Sequence, residues 1–470
     1  MQLQQTSDKK LSLLTLTWPI FLENLLRFML GNVNIFMLSR YSDQAVAAVG
    51  VSNQIMQFIL TIITVIAMGT SIIVSQYLGA KEYKIASRVV TVSIITNFTF
   101  GLVISMLVVI FARNLLAIMH LPLELMDYAY QYMVIVGGAM FLQGLIATIS
   151  AITRSYGYTR FSMYVAVFMN VINATCTYIV IFRPFNIPDF GVRGVAVSQV
   201  ISLVISVCIL LYFILHKLNV SFDLKDIRLY FKEIIKKILK IGLPAAAEAF
   251  SYSGTQTVTT YIITFMGATA LTSRIYVQSV VFFVYVLGLS IGHGTLIMVG
   301  RLVGAGLVEE AYKVGKKSLK LAVISNISLS LLLYIFRNPI IGIFTKDPAI
   351  IELFSYILLI DIIVEIGRAL NHINSNFLRG AGDVKFPVLI TVISTWGISI
   401  TFAYVFGIIF NWGLPGVWLA FCLDEWCRGL VLYKRFQSGK WTEMVIVHIK
   451  SDESDKKKKI ENNLIEKLTL

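Results

Sequence analysis

The chain has 470 residues, 57% of them hydrophobic and only 14% charged, with a mean hydropathy of +0.78. No water-soluble core needs that much apolar surface, so the composition excludes a soluble domain and points to the bilayer. The formal net charge of +14 would suit nucleic acid, but Lys and Arg gather at every second connection between apolar runs, which is the topology bias of a membrane protein and argues against a nucleic-acid partner.

Twelve apolar runs follow one another near 12–38, 47–78, 87–112, 127–152, 161–182, 194–216, 241–266, 271–300, 318–344, 351–377, 386–410 and 413–434. Each matches the hydrocarbon thickness at a rise of about 1.5 Å per residue. Helices are the economical way to satisfy that much backbone inside lipid. The expected fold is therefore an all-α polytopic membrane protein with twelve transmembrane helices in two pseudo-symmetric six-helix lobes. The expected division is an N-terminal lobe 1–216, a linker 217–240, a C-terminal lobe 241–434 and a flexible basic tail 435–470.

The first run follows a short Asp8-Lys9-Lys10 stretch and is too long for a cleavable leader, so it is expected to stay as helix 1. It carries Glu23 and Arg27, four apart and able to pair along one face, and then Asn34. Asn53 and Gln54 in the second run, Asn170 and Asn173 in the fifth and Gln278 in the eighth are amides that can line a polar cavity or bond helix to helix. Most of the forty basic residues lie on one side: Lys81, Lys84 and Arg88, then Lys217 to Lys240, then Arg301, Lys313, Lys316, Lys317 and Lys320, then the tail with Lys456 to Lys459. That places both termini in the cytoplasm and the protein in the cell membrane. Between the halves, Ile227, Phe231, Ile234, Ile235 and Ile238 share one helical face and lysines the other. This is either an amphipathic helix on the inner leaflet, tethering two lobes, or an ordinary charged loop.

Charge inside an apolar run costs on the order of 3 kcal/mol at mid-helix and should face a cavity or a partner. The seventh run has Glu248 four residues after Pro244. The tenth has Asp361, Glu365 and Arg368 on one face, extended by Asn371, His372 and Ser375. The twelfth has Asp424, Glu425 and Arg428, read as an internal ion pair near the inner boundary. A proline inside a helix frees a carbonyl one turn earlier, which beside a carboxylate suits a small cation; a buried glutamate can equally carry a proton. Glu248 is the first candidate for a coupling residue.

The two halves repeat each other at an offset of 225 residues. Pro19 and Glu23 recur as Pro244 and Glu248, Gln76 to Ala80 as Arg301 to Ala305, and Arg154 to Phe161 as Arg379 to Phe386. Paired repeats in a membrane chain are the usual build of a secondary transporter, with the substrate site between them. Nothing suggests an enzyme. There is no HExxH or CxxC, and Cys176, Cys208, Cys422 and Cys427 lie in apolar runs without ligand spacing. The stretch Val314 to Lys317 lacks the glycine and the Ser or Thr of a phosphate loop. No cofactor is expected beyond a coupling H⁺ or Na⁺.

With those residues in place the chain resembles the multidrug and toxic compound extrusion (MATE) family. The resemblance rests on Pro19 to Asn24 through Met37, Ala47 to Gly50, Gln76 to Ala80, Arg154 to Arg160, Asn170 with Asn173, and Leu378 to Asp383. It implies two lobes alternating between inward-open and outward-open shapes, and an antiporter exporting drugs or toxic organic cations in exchange for Na⁺ or H⁺. Many relatives carry aspartates at the positions of Asn34 and Thr177, so the N-terminal cation site they build is expected to be missing or weakened here. Glu248 matches the glutamate of the sodium-coupled bacterial branch, whereas Arg368 replaces that branch's helix-10 aspartate and would repel a metal cation. Coupling is accordingly expected at Glu248, with Glu365 and Asp361 as further candidates and H⁺ preferred. Glu23, Arg27, Asn34, Asn53, Gln54, Asn170, Asn173, Gln278, Asn371 and His372 are the expected cavity residues. The protein is expected to act as a monomer among membrane lipids. A lipid-linked oligosaccharide flippase of the same superfamily is the alternative, disfavoured because only Arg27 and Arg368 stand out as cavity cations.

Overall fold

The computed structural model describes residues 12–119, 121–184, 188–218, 220 and 224–447, and no β-strand occurs among them. In the first half the helices are α1 (Leu13–Ser39), α2 (Asp43–Ile63), α3 (Val65–Gly79), α4 (Tyr83–Ile110), α5 (Ala112–Ile118), α6 (Leu123–Tyr132), α7 (Met140–Ser155), α8 (Thr159–Phe182) and α9 (Gly191–Lys217). The second half holds α10 (Leu224–Thr264), α11 (Ala268–Gly304), α12 (Val308–Ile335), α13 (Arg337–Phe344), α14 (Pro348–Ala381), α15 (Lys385–Ser394), α16 (Thr401–Tyr404) and α17 (Gly413–Gln437). Wider π-helical turns join α6 to α7 (Met133–Gly137) and interrupt the α15–α16 rod at Thr395–Ile400 and Val405–Ile409.

Local chemistry sets these boundaries. Ser12 and Ser42 accept hydrogen bonds from the Thr15 and Ala45 amides at 3.2 and 3.4 Å and so cap α1 and α2. Asp347 caps α14 through the Ala349 amide at 2.9 Å, with Pro348 in the first turn. Gly382 ends α14 at φ +102°.

Among the described residues eight helical stretches are long and apolar enough to cross a bilayer, and the pair Leu123–Gly137 and Met140–Ser155, bent by 43°, makes a ninth if taken as one span. The three remaining expected runs fall on α10, α14 and α17, which have 41, 34 and 25 residues. They are long enough; their polar content separates them from the rest. The same three helices carry Glu248, the Asp361–Arg368 stripe and the Asp424–Arg428 cluster.

The linker differs from the sequence expectation. Residues 224–240 form one continuous helix with the seventh run, α10. Ile234 and Ile238 are buried in the core of the first half, and the Ile238 carbonyl lies so close to α3 that a Cβ on Gly69 would meet it at 2.6 Å. The apolar face is therefore taken up by protein rather than by a leaflet, with Phe231 left more exposed. The Ile227 side chain lies outside the described residues.

The tail differs too. Helix α17 continues to Gln437, and a 3-10 turn at Lys440–Met444 buries Trp441 edge-on against Phe377, at 4.9 Å between ring centroids. The next residues reach the first half: the Ile446 amide donates to Gln76 Oε1 at 3.1 Å. Up to Val447 the tail is thus a packed strap, because Trp441 and Val447 find apolar cover. Lys456 to Lys459 lie outside the described residues.

The halves meet where α3 crosses α11. Gln76 Nε2 donates to the Gly380 carbonyl at 2.9 Å, and Arg301 donates to the Ser155 carbonyl at 3.0 and 2.6 Å from Nε and Nη2. The two donors are repeat mates, as are the two acceptors. Gly79 and Gly304, also repeat mates, bring the backbones so close that a Cβ on either would lie 1.9 or 2.0 Å from a carbonyl oxygen of Arg301 or Gln76.

Candidate functional site

Near the end of α7, Arg154 turns back toward α1. Its Nη1 donates to both carboxylate oxygens of Glu23 at 3.0 Å, and Arg27 adds a bond from one turn away at 3.1 Å. Glu23 is 1% exposed, so it needs these partners. Near the end of α14, Arg379 donates from Nη2 to Glu248 Oε2 on α10. Arg154 lies 131 residues after Glu23, and Arg379 lies 131 after Glu248. Each half therefore builds the same carboxylate–guanidinium pair between the same two segments of its repeat, with Tyr252 where the first half has Arg27.

Each pair lines a cavity, of about 410 Å³ around Glu23 and about 290 Å³ around Glu248. Met68, Ala245, Ala249 and His293 border both. Met68 and His293 are themselves repeat mates, so one wall position has changed from thioether to imidazole between the halves.

The second half adds a charge network with no counterpart in the first. Glu365, 0% exposed, pairs with Arg368 and accepts from Asn326 Nδ2 at 2.9 Å. Glu425 sits 3.7 Å from Arg368, 3.0 Å from Arg428, and accepts from Asn371 Nδ2 at 2.8 Å. Asp424 takes a bond from Arg428 at 2.6 Å, and Asp361 takes one from Trp418 Nε1 at 3.1 Å. Asp361, Arg368, Asp424, Glu425 and Arg428 wall a further cavity of about 540 Å³ with Gln278, Arg274 and Tyr285. A buried ion pair stays ionised only while its partner is present, so removing one member strands the other in low dielectric. Linked pairs of this kind can exchange partners when a cation, proton or anionic group arrives.

The structure brings together most of the expected charged residues. Glu23 and Arg27 line one cavity, Glu248 and His372 the second, and Asp361, Arg368 and Gln278 the third. Asn371 lines the second as well, and Glu365 lies directly behind Arg368. The five other amides, Asn34, Asn53, Gln54, Asn170 and Asn173, are not among the lining residues of these cavities. Asn53 accepts from Tyr132 at 3.3 Å, Gln54 is exposed, and Asn170 donates to the Leu26 carbonyl at 3.2 Å. Asn34 Oδ1, both polar atoms of Asn173 and Thr177 Oγ1 are buried without a protein partner. Among the described residues no cluster of three or more His, Cys, Asp or Glu is placed to hold a metal.

Sequence reasoning missed three arginines of these walls, Arg154, Arg274 and Arg379, and read Arg428 as an ion-pair member without a cavity role. Arg154 and Arg379 stand in the duplicated motif, and the repeat offset shared with Glu23 and Glu248 was the signal that could have paired them. Arg428 makes the expected internal ion pair, with Asp424 and Glu425, and also stands on a cavity wall. Arg274 gave no signal beyond its charge. The cavity walls thus hold Arg154, Arg274, Arg379 and Arg428 beside Arg27 and Arg368, which corrects the expectation of few cavity cations.

Comparison with known proteins agrees with this architecture. The MatE family profile matches residues 19–179 and 244–405, one segment in each half. The chain is 43% identical to the uncharacterized transporter YisQ of Bacillus subtilis (strain 168), over 94% of this chain and 97% of that one. It is 28% identical to the probable multidrug resistance protein NorM of Thermotoga maritima, over 94% and 96%. Among solved structures, a MATE protein in a bent conformation superposes with a TM-score of 0.85 at 20% identity, covering 94% of this chain and 98% of the other. A superfamily transporter from Pyrococcus furiosus, described as having a binding pocket of reverse polarity, superposes at 0.82 and 20% identity, covering 91% and 96%. The chain belongs to the MatE family.

Proposed function

We propose that this MatE-family membrane transporter is a multidrug efflux antiporter, exporting cationic or amphipathic organic compounds in exchange for H⁺ or Na⁺. In this reading twelve spans form two six-helix lobes in the cell membrane, with both termini cytoplasmic, and the lobes rock about the α3–α11 crossing. The observation that carries it is the duplicated pair, Glu23–Arg154 and Glu248–Arg379, each on its own cavity wall. Repeated lobes with a site at their junction are a common build for alternating access. The reciprocal Gln76 and Arg301 bonds would seal one side of the junction in this conformation.

Coupling at Glu248 follows from the same geometry. A proton reaching the carboxylate removes the charge that holds Arg379, whereas a metal ion must displace the guanidinium from it. Proton exchange is therefore preferred. Arg368 bears little on this, since Glu365, one turn away and able to neutralise it by spacing, pairs with it. One charge moving through 100 mV supplies about 2.3 kcal/mol, enough for modest accumulation.

The test is ethidium efflux from proteoliposomes with a pH gradient or a Na⁺ gradient imposed separately. Efflux on the pH gradient alone is expected; efflux that requires Na⁺ would overturn proton coupling. Wild-type rates in Glu248→Gln would remove Glu248 from the coupling role. The six cavity arginines favour a second reading, a flippase for a lipid-linked anionic head group. Labelled-lipid scrambling without ethidium efflux would put it first.

A further inference from the structure

Arg274 sits on α11, 4% exposed, in the wall of the 540 Å³ cavity. Its neighbours Arg368 and Arg428 are matched by Glu365, Glu425 and Asp424. Arg274 is not. Among the described residues it makes no ion pair: Nη1 donates to Thr260 Oγ1 at 2.8 Å, and Nη2 to Gln256 Oε1 at 2.9 Å and the Gln256 carbonyl at 3.5 Å. These neutral oxygens, one turn apart on α10, orient the guanidinium without discharging it. Of the carboxylates on the same wall, Asp424 bonds Arg428, Glu425 lies between Arg428 and Arg368, and Asp361 takes a neutral bond from Trp418 Nε1; none of them is in ion-pair contact with Arg274.

A buried cation is expensive unless a counter-charge meets it. The repeat gives no reason for this one, because the counterpart of Arg274 in the first half is Val49, a buried position of α2. A guanidinium has five donors in a fixed fork that matches planar and tetrahedral oxyanions. Tyr252, Phe282 and Trp418 line the same space and offer aromatic cover for an apolar body.

We propose that Arg274 is the receptor for an anionic group, a carboxylate, sulfonate or phosphate, on the aromatic amphiphile that this cavity takes. Gln256 and Thr260 are its positioning residues. The proposal rests on reading this cavity as the substrate chamber, and it adds organic anions to what the chamber accepts.

The test compares dansyl-glycine with its uncharged methyl ester, binding to the full-length protein in phosphatidylcholine nanodiscs, read by energy transfer from tryptophan to the dansyl group. Wild type is expected to bind the acid about tenfold more tightly than the ester, the scale of one charge-assisted hydrogen bond. That preference should fall to about one in Arg274→Gln and return in part in Arg274→Lys, which restores charge but not the fork. Equal or tighter binding of the ester by wild type overturns the proposal, and this arm stands even where Arg274→Gln does not fold. Displacement of the acid by phosphatidylglycerol added to the nanodisc would reassign the site to lipid phosphate and overturn the small-molecule occupant. Acid preference without ethidium efflux would sink the export reading and leave the anion receptor standing. Efflux without acid preference would do the reverse.

Discussion

Glu23 and Glu248 occupy equivalent places in the two halves and hold equivalent arginines, yet their surroundings differ. Around Glu23 one carboxylate holds two guanidiniums, Arg27 and Arg154, and α1 and α8 otherwise present amides and hydroxyls, several of them unpartnered. Beyond Glu248 the polar wall continues into Arg428, Asp424, Glu425, Arg368, Glu365 and Asp361, with Arg274 outside their ion pairs. What the halves share, the pair and the seam, is frame. What only the second half has is concentrated on α11, α14 and α17, and specialised chemistry belongs there.

The seam offers the most drastic way to test the shared frame. Gly304→Val would place carbon atoms against the Gln76 carbonyl, where a bare Cβ already stands 2.0 Å away. Ordinary overpacking costs about 1–3 kcal/mol because side chains yield; a backbone carbonyl in a helix cannot turn aside, so the cost should exceed that range. The matching Gly79→Val should act alike, since it meets Arg301 in the same way. Cysteine accessibility on either side of the seam reads the result. Unchanged labelling in both variants would mean that the crossing is not a fixed contact.

Next in size are the two carboxylates, where the halves should part company. Removing one member of a buried pair costs about 3–5 kcal/mol. Glu23→Gln strands two arginines and Glu248→Gln one, so thermal melting should fall further for Glu23→Gln. Proton-driven ethidium efflux should show the opposite order, with Glu248→Gln the more damaged. The same order in both assays would mean that the halves do equivalent work.

The strap comes third. Trp441 is 1% exposed between Phe377 and Phe436, and an aromatic-to-alanine change in such a core costs about 3 kcal/mol or more. Because the strap bonds Ile446 to Gln76, Trp441→Ala should also raise labelling at the seam, which a loss confined to the second half would not do.

How legible was this from the sequence? The repeat was plain, since Pro19, Glu23 and Arg154 keep their spacing as Pro244, Glu248 and Arg379, and the apolar runs follow from composition. The linker and the strap were not. Ile234 and Ile238 make an amphipathic face whether a leaflet or a neighbouring helix covers it, and only the Gly69 contact distinguishes the two. The tail read as polar because its lysines outvote Trp441, although one large aromatic is enough to anchor a short turn. Arg274 could not be assigned, because its partners Gln256 and Thr260 are neutral and lie on another helix. The amides failed for the converse reason: an asparagine that lines a cavity and one that bonds a carbonyl look the same in sequence.

The smallest expected effect bears on the first half and is the most discriminating. Asn173 is fully buried, and neither amide atom has a protein partner; Asn34 Oδ1 and Thr177 Oγ1 are in the same condition on α1 and α8, which pack together. A buried polar group without a hydrogen bond costs about 1–3 kcal/mol. If these atoms are idle, Asn173→Leu removes that cost at similar volume and should raise thermal stability by about 1 kcal/mol, equally with and without Na⁺. If the oxygens instead serve a small cation, the same change should lower stability, and wild type alone should melt higher as Na⁺ is added. The first outcome is expected, because the aspartates that would pay for dehydrating an ion are absent at Asn34 and Thr177. It would leave the second half as the sole seat of coupling, and the amides of the first half as the remnant of a frame whose charge has moved elsewhere.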